Sequence, residues 1–207
     1  MRLALAVIAV CLAAVPAAHA QSDSALAVGV AVSIYDTTSA NAKNPVGFGL
    51  VARLRRGSGF GATMGLDWFK SEIQTTIGGE QTPVGTVRIR PLMFGVSYAR
   101  QYAKLSIGGS LVAGYAFNTL RETDRARAAY RDRLDVPDAG FHAANCFAWR
   151  PDVSLWYEMG NHIGVLASLS YIGARPTITT TSRLGRHDES VNVGAAMLTF
   201  GVVYGIF

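Results

Sequence analysis

Residues 105–117 alternate without interruption. One face carries Leu105, Ile107, Gly109, Leu111, Ala113, Tyr115 and Phe117, and the other Ser106, Gly108, Ser110, Val112, Gly114 and Ala116. Successive side chains on a strand point to opposite faces, so a period of two reads as one long β-strand. The same period recurs at 26–34, 60–68, 163–171 and 198–206, and each time bulky apolar residues oppose a face made mostly of Gly, Ala, Ser and Thr. A soluble sheet keeps its apolar face for the core and gives a charged face to water. The small-residue face is nearly free of Lys and Glu, so it does not suit water.

Both halves of the pattern are explained if the bulky face meets lipid and the small face turns inward. An eight-stranded barrel has an interior just wide enough for side chains. Its closure pairs every backbone N–H and C=O, as hydrocarbon requires. Tilted strands of about ten residues span the apolar band. Eight candidate strands lie near 25–35, 46–56, 60–72, 84–100, 104–119, 149–159, 162–177 and 190–207. Short turns at 56–59, 100–104 and 159–162 alternate with longer polar segments at 36–45, 73–83, 120–148 and 178–189. The expected fold class is therefore all-β: an eight-stranded antiparallel up-and-down transmembrane β-barrel with short periplasmic turns and longer extracellular loops. The 22 glycines follow from the crowded interior.

The start of the chain fits export. "MRLALAVIAVCLAAVPAAHA" has one basic residue, an apolar stretch and an Ala18-His19-Ala20 cleavage pattern. Pro16 interrupts the run before the roughly 20 apolar residues of a membrane helix. Residues 1–20 are expected to be a signal peptide cleaved after Ala20, with Sec export, and residues 21–207 a single barrel domain. Without Arg2 the mature chain holds 18 basic and 14 acidic residues, a net charge of +4 that is too mild to argue for nucleic acid. One cysteine remains, Cys146, so no intramolecular disulfide can form.

At the other end stand Thr199, Gly201, Tyr204, Ile206 and a terminal Phe207. This spacing of a polar residue, glycine, an aromatic and an apolar residue resembles the last-strand signal of Gram-negative outer-membrane barrels. The resemblance covers the mature chain as architecture: a small eight-stranded outer-membrane β-barrel. It implies residence in the outer membrane and recognition of the last strand by the barrel-assembly machinery. The partners expected are outer-membrane lipid and lipopolysaccharide, with the protein a monomer and no cofactor. The family includes adhesins, structural anchors, narrow pores and lipid-modifying enzymes, so it implies no particular activity.

Aromatics near strand ends, among them Tyr35, Trp68, Tyr98, Tyr115, Trp156 and Tyr171, are expected to form interfacial girdles. A charge facing mid-bilayer lipid costs about 2–4 kcal/mol, so charges within strands should face inward and pair. Arg53, Arg55, Asp67, Arg88, Arg90, Asp152 and Glu158 are expected to form an interior network that plugs the lumen; a polar conduit or gate is the alternative. Arg88 and Arg90 share parity with Leu92 and Phe94, so they stand either above the membrane or beyond a bulge at Pro91.

The segment 120–148 allows a short helix from Thr123 or Asp124 through Leu134, and its arginines could meet lipopolysaccharide phosphates. Between 121 and 138, however, five positive charges stand against five negative ones, which favours a self-paired loop. His187-Asp188-Glu189 is the sole cluster with acid–base character, and no His-x-Ser motif accompanies it. No metal-ligand spacing or nucleophile elbow is found. The sequence thus reads as a non-catalytic envelope protein with a structural or surface-interaction role. The alternatives are a narrow pore or transporter for small or apolar solutes and a lipid A-modifying enzyme.

Overall fold

The computed structural model describes residues 26–37, 46–54, 58–77, 80–122, 128, 131, 140–160, 162–183 and 185–206, with backbone alone at 73–77 and 80–84. In chain order the strands are β1 (Leu26–Thr37), β2 (Val46–Leu54), β3 (Gly59–Ile77), β4 (Glu80–Tyr102), β5 (Leu105–Glu122), β6 (Gly140–Ala143), β7 (Cys146–Glu158), β8 (Ile163–Ala174), β9 (Thr177–Ser182), β10 (Gly185–Ser190) and β11 (Ala195–Ile206). Eight of them close into an antiparallel barrel in the order β1-β11-β8-β7-β5-β4-β3-β2. The seam between the first and last strands runs from Leu26 opposite Ile206 to Thr37 opposite Ala195.

Alternation sorts the residues as the sequence implies. On β1 the outward Val30 and Val32 are 61% and 55% exposed, while the inward Ala31 and Ser33 are 8% and 1%. Phe48, Leu50, Phe94, Leu111, Val153, Leu169 and Phe200 continue the exposed apolar belt around the barrel. Inward glycine is required where strands come close: a Cβ on Gly114 would overlap the Leu92 carbonyl oxygen.

Aromatic pairs mark both ends of the belt. Phe48 stacks on Trp68, Tyr115 meets Phe117 and Trp149 meets Tyr171 toward the long-loop end, and Phe60 meets Tyr98 toward the short turns. Trp68, Tyr98, Tyr115 and Tyr171 take the outward positions expected of them. Trp156 does not. It shares parity with Asp152 and Ser154 and is 5% exposed inside the lumen. Tyr35 is also turned inward, fully buried and stacked on Phe69 at 4.4 Å.

The interior departs from a lumen of small residues. Toward the long-loop end, Tyr35, Phe69, Val87, Ile89, Met93, Ile172 and Met197 form a large buried apolar cluster. A smaller cluster of Ala27, Trp156, Leu166 and Val203 lies toward the short turns.

The segments 120–148 and 178–189 are not wholly loops. They hold β6, β9 and β10, which form a second sheet in the order β10-β9-β6. These strands continue β7, β8 and β11, respectively β6, β9 and β10, across breaks at 144–145, 175–176 and 191–194. The same wall thus rises past the barrel rim. Its strands lack the bulky alternation of a lipid-facing wall: β9 is Thr-rich, and every residue of β10 is exposed. Thr179 donates to Asp188 Oδ1 at 2.6 Å and Arg186 Nε at 3.1 Å, and these bonds hold the Asp188 carboxyl below the usual range. Ala143 and Ile178 seat the sheet on the upper apolar cluster. β3 and β4 likewise outrun their expected ends and pair to Ile77 opposite Glu80, so most of the segment 73–83 is hairpin.

Leu111→Arg, midway along the outward face of β5, is expected to lower stability in lipid vesicles by about 2–4 kcal/mol in urea titrations. The same change at Tyr102, beside the short turn, should cost about 1 kcal/mol or less.

Candidate functional site

Between the two apolar clusters lies a polar layer. Arg53 on β2, Asp67 on β3, and Arg150 and Asp152 on β7 all line one small cavity. Arg150 Nη1 donates to Asp67 Oδ2 at 2.5 Å, with the side chains 13% and 7% exposed. Arg53 Nε donates to Ser97 Oγ at 3.2 Å, and its guanidinium lies 5.2 Å from the Trp156 ring centroid. Asp152 accepts from Ser110 Oγ at 3.2 Å and is in electrostatic contact with Arg53. The hydroxyls of Ser33 and Thr199 meet at 2.8 Å across the β1–β11 seam. Two cations and two anions leave the layer neutral.

Neighbouring backbone makes room for these long groups. A Cβ on Gly65 would stand 2.7 Å from Arg150 Nη2, and one on Gly108 would stand 2.9 Å from Arg53 Nη2. The cavity measures about 40 Å³. A water needs about 10–15 Å³ of such volume and two to four polar partners, so the space suits a few waters rather than a solute. Arg150 Nε, buried without a protein partner among the described residues, is one group such a water can satisfy.

The ion pair also joins two weak points in the wall. The β3–β4 ladder passes from Leu66–Leu92 to Phe69–Ile89, skipping the positions where Pro91 faces Asp67. The β7–β8 ladder passes from Trp149–Gly173 to Asp152–Ser170, skipping Arg150 and Pro151. Proline has no N–H to give a ladder. Asp67 and Arg150 therefore stand at the two interruptions and meet across the lumen.

The structure distributes the sequence-selected charges unevenly. Arg53, Asp67 and Asp152 come together. Glu158 stands at the short-turn rim, where Gln101 Nε2 donates to it at 3.4 Å, apart from the cavity lining. Arg88 and Arg90 are not interior: they alternate with the fully buried Val87 and Ile89 and point outward. No bulge at Pro91 rescues the expectation, because β4 pairs with β5 in one register from Gly85–Glu122 to Tyr102–Leu105. Both arginines stand at the upper edge of the belt. Arg55, Phe207, the leader 1–20 and most of the expected helix at 123–134 lie outside the described residues.

Arg150 was not anticipated, although its even parity with Asp152 on the same strand signals it. Of the last-strand residues, Thr199 faces the lumen, Tyr204 faces outward at 51% exposure and Ile206 pairs with Leu26. Gly201 admits the neighbouring strand, since its Cβ would stand 2.6 Å from the Val30 carbonyl oxygen. On β10, His187 and Glu189 point to one face and Asp188 to the other. Among the described residues no three His, Cys, Asp or Glu are grouped to hold a metal. Cys146 is a free thiol that accepts from Asn118 Nδ2 at 3.6 Å.

Arg150→Met leaves Asp67 buried without its partner and should destabilise the barrel by about 3–5 kcal/mol. Asp67→Asn combined with Arg150→Gln removes both charges and should recover at least half of that loss. Urea midpoints followed by heat-modifiability on gels check both.

No family model and no curated protein sequence matches the chain. Solved structures do. The outer membrane protein OprG from Pseudomonas aeruginosa superposes with a TM-score of 0.71 at 9% identity, over 87% of this chain and 95% of that one. AlkL, an outer membrane protein determined in lipid bilayers, gives 0.59 at 15% identity, over 93% and 95%. Neisserial surface protein A gives 0.54 at 11% identity, over 88% and 98%. At such identities the likeness is one of fold, and it agrees with the closed eight-stranded topology and the exposed apolar belt. The chain has the fold of the small eight-stranded outer-membrane β-barrels.

Proposed function

We propose that this protein is a non-conducting outer-membrane barrel that acts through the surface it raises above the membrane, the β6–β9–β10 sheet and the β3–β4 hairpin. One observation carries the reading: side chains fill the lumen from the upper apolar cluster, through the polar layer, to Trp156. A lumen closed at three levels serves as an anchor. The sheet is polar and presents Thr, His, Arg and Asp side chains to solvent on a continuation of the wall. Neisserial surface protein A, which shares the fold, is by its name a surface protein. Sec export, leader cleavage after Ala20, recognition of the last strand by the assembly machinery and a monomeric, non-catalytic barrel belong to the same reading.

A second reading is passage of a small apolar solute. The apolar character of the upper interior favours it, because Ile89, Met93, Ile172 and Met197 would offer such a solute a matched surface if they moved aside.

In planar bilayers the purified protein should form no stable channels. Stable channels abolished by charge reversal at Asp67 would overturn the closed-lumen reading. Proteoliposomes that accumulate an apolar fluorescent probe faster than protein-free vesicles would favour the second reading. Asp188→Cys, in a Cys146→Ser background, should be labelled on intact cells by a membrane-impermeant maleimide, whereas Lys104→Cys at the opposite rim should not.

A further inference from the structure

The outward face of the β3–β4–β5 wall carries an unbalanced cluster of cations. Three successive cross-strand rows are set by register. Arg90 lies opposite Phe117, and Lys70, Arg88 and Thr119 share the next row, with Lys70 directly opposite Arg88. Glu72, Thr86 and Arg121 form the row above. Lys70, Arg90 and Arg121 are exposed and Arg88 is half-buried. Four cations thus stand against one acid, and none of them takes part in the Arg150–Asp67 or the Arg186–Asp188 ion pair. Like charges placed directly opposite on neighbouring strands repel. Such a row is stabilised when an anion lies between its members.

Position identifies that anion. The rows begin at the upper aromatic edge of the belt, beside Trp68 and Phe117, and directly below them Leu66, Leu92 and Tyr115 continue the apolar wall. The level is that of lipid headgroups, with an apolar track beneath for acyl chains. Guanidinium groups form charge-assisted, bidentate bonds with phosphate. On β7 the outward positions next to Tyr115 and Ala113 are Phe147 and Trp149, and one exposed cation, Arg175, follows the end of β8.

We propose that Lys70, Arg88, Arg90 and Arg121 bind the phosphate groups of a phosphorylated, multiply acylated glycolipid of the outer leaflet, whose acyl chains lie on the wall below. This site rests on the outer-membrane reading and shares Arg121 alone with the arginines of segment 120–148. Arg88→Gln combined with Arg90→Gln keeps the length of both side chains and removes two charges at the centre of the cluster.

The test exchanges the purified barrel into detergent with defined lipids and measures retained lipid by native mass spectrometry. The wild-type protein should retain bis-phosphorylated lipid A, and R88Q/R90Q should bind it at least tenfold more weakly. Lys104→Gln at the opposite rim should bind like the wild type. Equal retention of dephosphorylated lipid A would overturn the phosphate site, and equal retention of phosphatidylglycerol would overturn the glycolipid assignment. A loss with K104Q as large as with R88Q/R90Q would overturn the location. Heat-modifiability confirms that each variant is folded; if R88Q/R90Q is not, the wild-type comparison among the three lipids still decides. A barrel that is non-conducting and labelled at position 188 on cells, yet retains no glycolipid, refutes this inference and leaves the proposed function standing.

Discussion

Every feature of this fold follows from the need to pair backbone polar groups where no water reaches them. An open sheet in hydrocarbon would leave a row of N–H and C=O groups at each edge, and each orphan costs several kcal/mol. The register that joins β1 to β11 removes both edges at once. Closure at eight strands then sets the interior width, and the interior width decides which residues can point inward. Where two strands approach most closely, as at Gly95 and Gly114, only hydrogen fits. Where there is more room, Tyr35, Met93 or a guanidinium enters. Composition is thus a consequence of closure rather than its cause.

The same constraint explains why charges are tolerated in the polar layer. A buried ion pair is weak evidence for stability, because desolvation offsets most of the attraction. In a membrane barrel, however, an inward charge avoids the larger cost of facing acyl chains. The Asp67–Arg150 contact has a further mechanical effect. Pro91 and Pro151 deprive two ladders of donors on different sides of the barrel, and a bond across the lumen between residues at those sites resists their separation. The sequence places each proline next to, or opposite, one partner of the pair, so local weakness and cross-lumen restraint occur together.

Strand parity made most of the barrel legible in advance. It sorted Val30 from Ala31 and Leu111 from Val112, and it even marked Arg88 and Arg90 as outward, against the expectation that the cost of facing lipid turns strand charges inward. The error lay in treating every strand charge as though it stood at mid-bilayer. Parity likewise assigned Trp156 to the lumen, but the general preference of tryptophan for interfaces outweighed it. What parity cannot supply is height along the strand and the partner across the lumen. Arg150 and Asp67 are 83 residues apart, and their meeting depends on how the two intervening barrel strands, β4 and β5, curve. The second sheet was illegible for a different reason. Outside hydrocarbon a strand needs no bulky outward face, so "TITTTS" and "GRHDES" carry no period that distinguishes strand from loop.

Height along the strand also explains why the barrel is unlike itself on two sides. Above the belt, β8 passes Arg175 and Pro176 before resuming as β9, and β11 is preceded by the irregular residues 191–194. That wall breaks where it leaves the lipid and resumes as a polar sheet. β3 and β4 instead continue unbroken from belt to hairpin, apart from the shift at Ile73–Gln74. An unbroken strand keeps its outward parity through the headgroup level, so residues there still point at lipid. Cations at that level on β3, β4 and β5 therefore face the membrane surface, whereas the charged side chains of β10 face solvent. One chemical type, arginine, serves two different environments because the backbone beneath it is continuous in one wall and interrupted in the other.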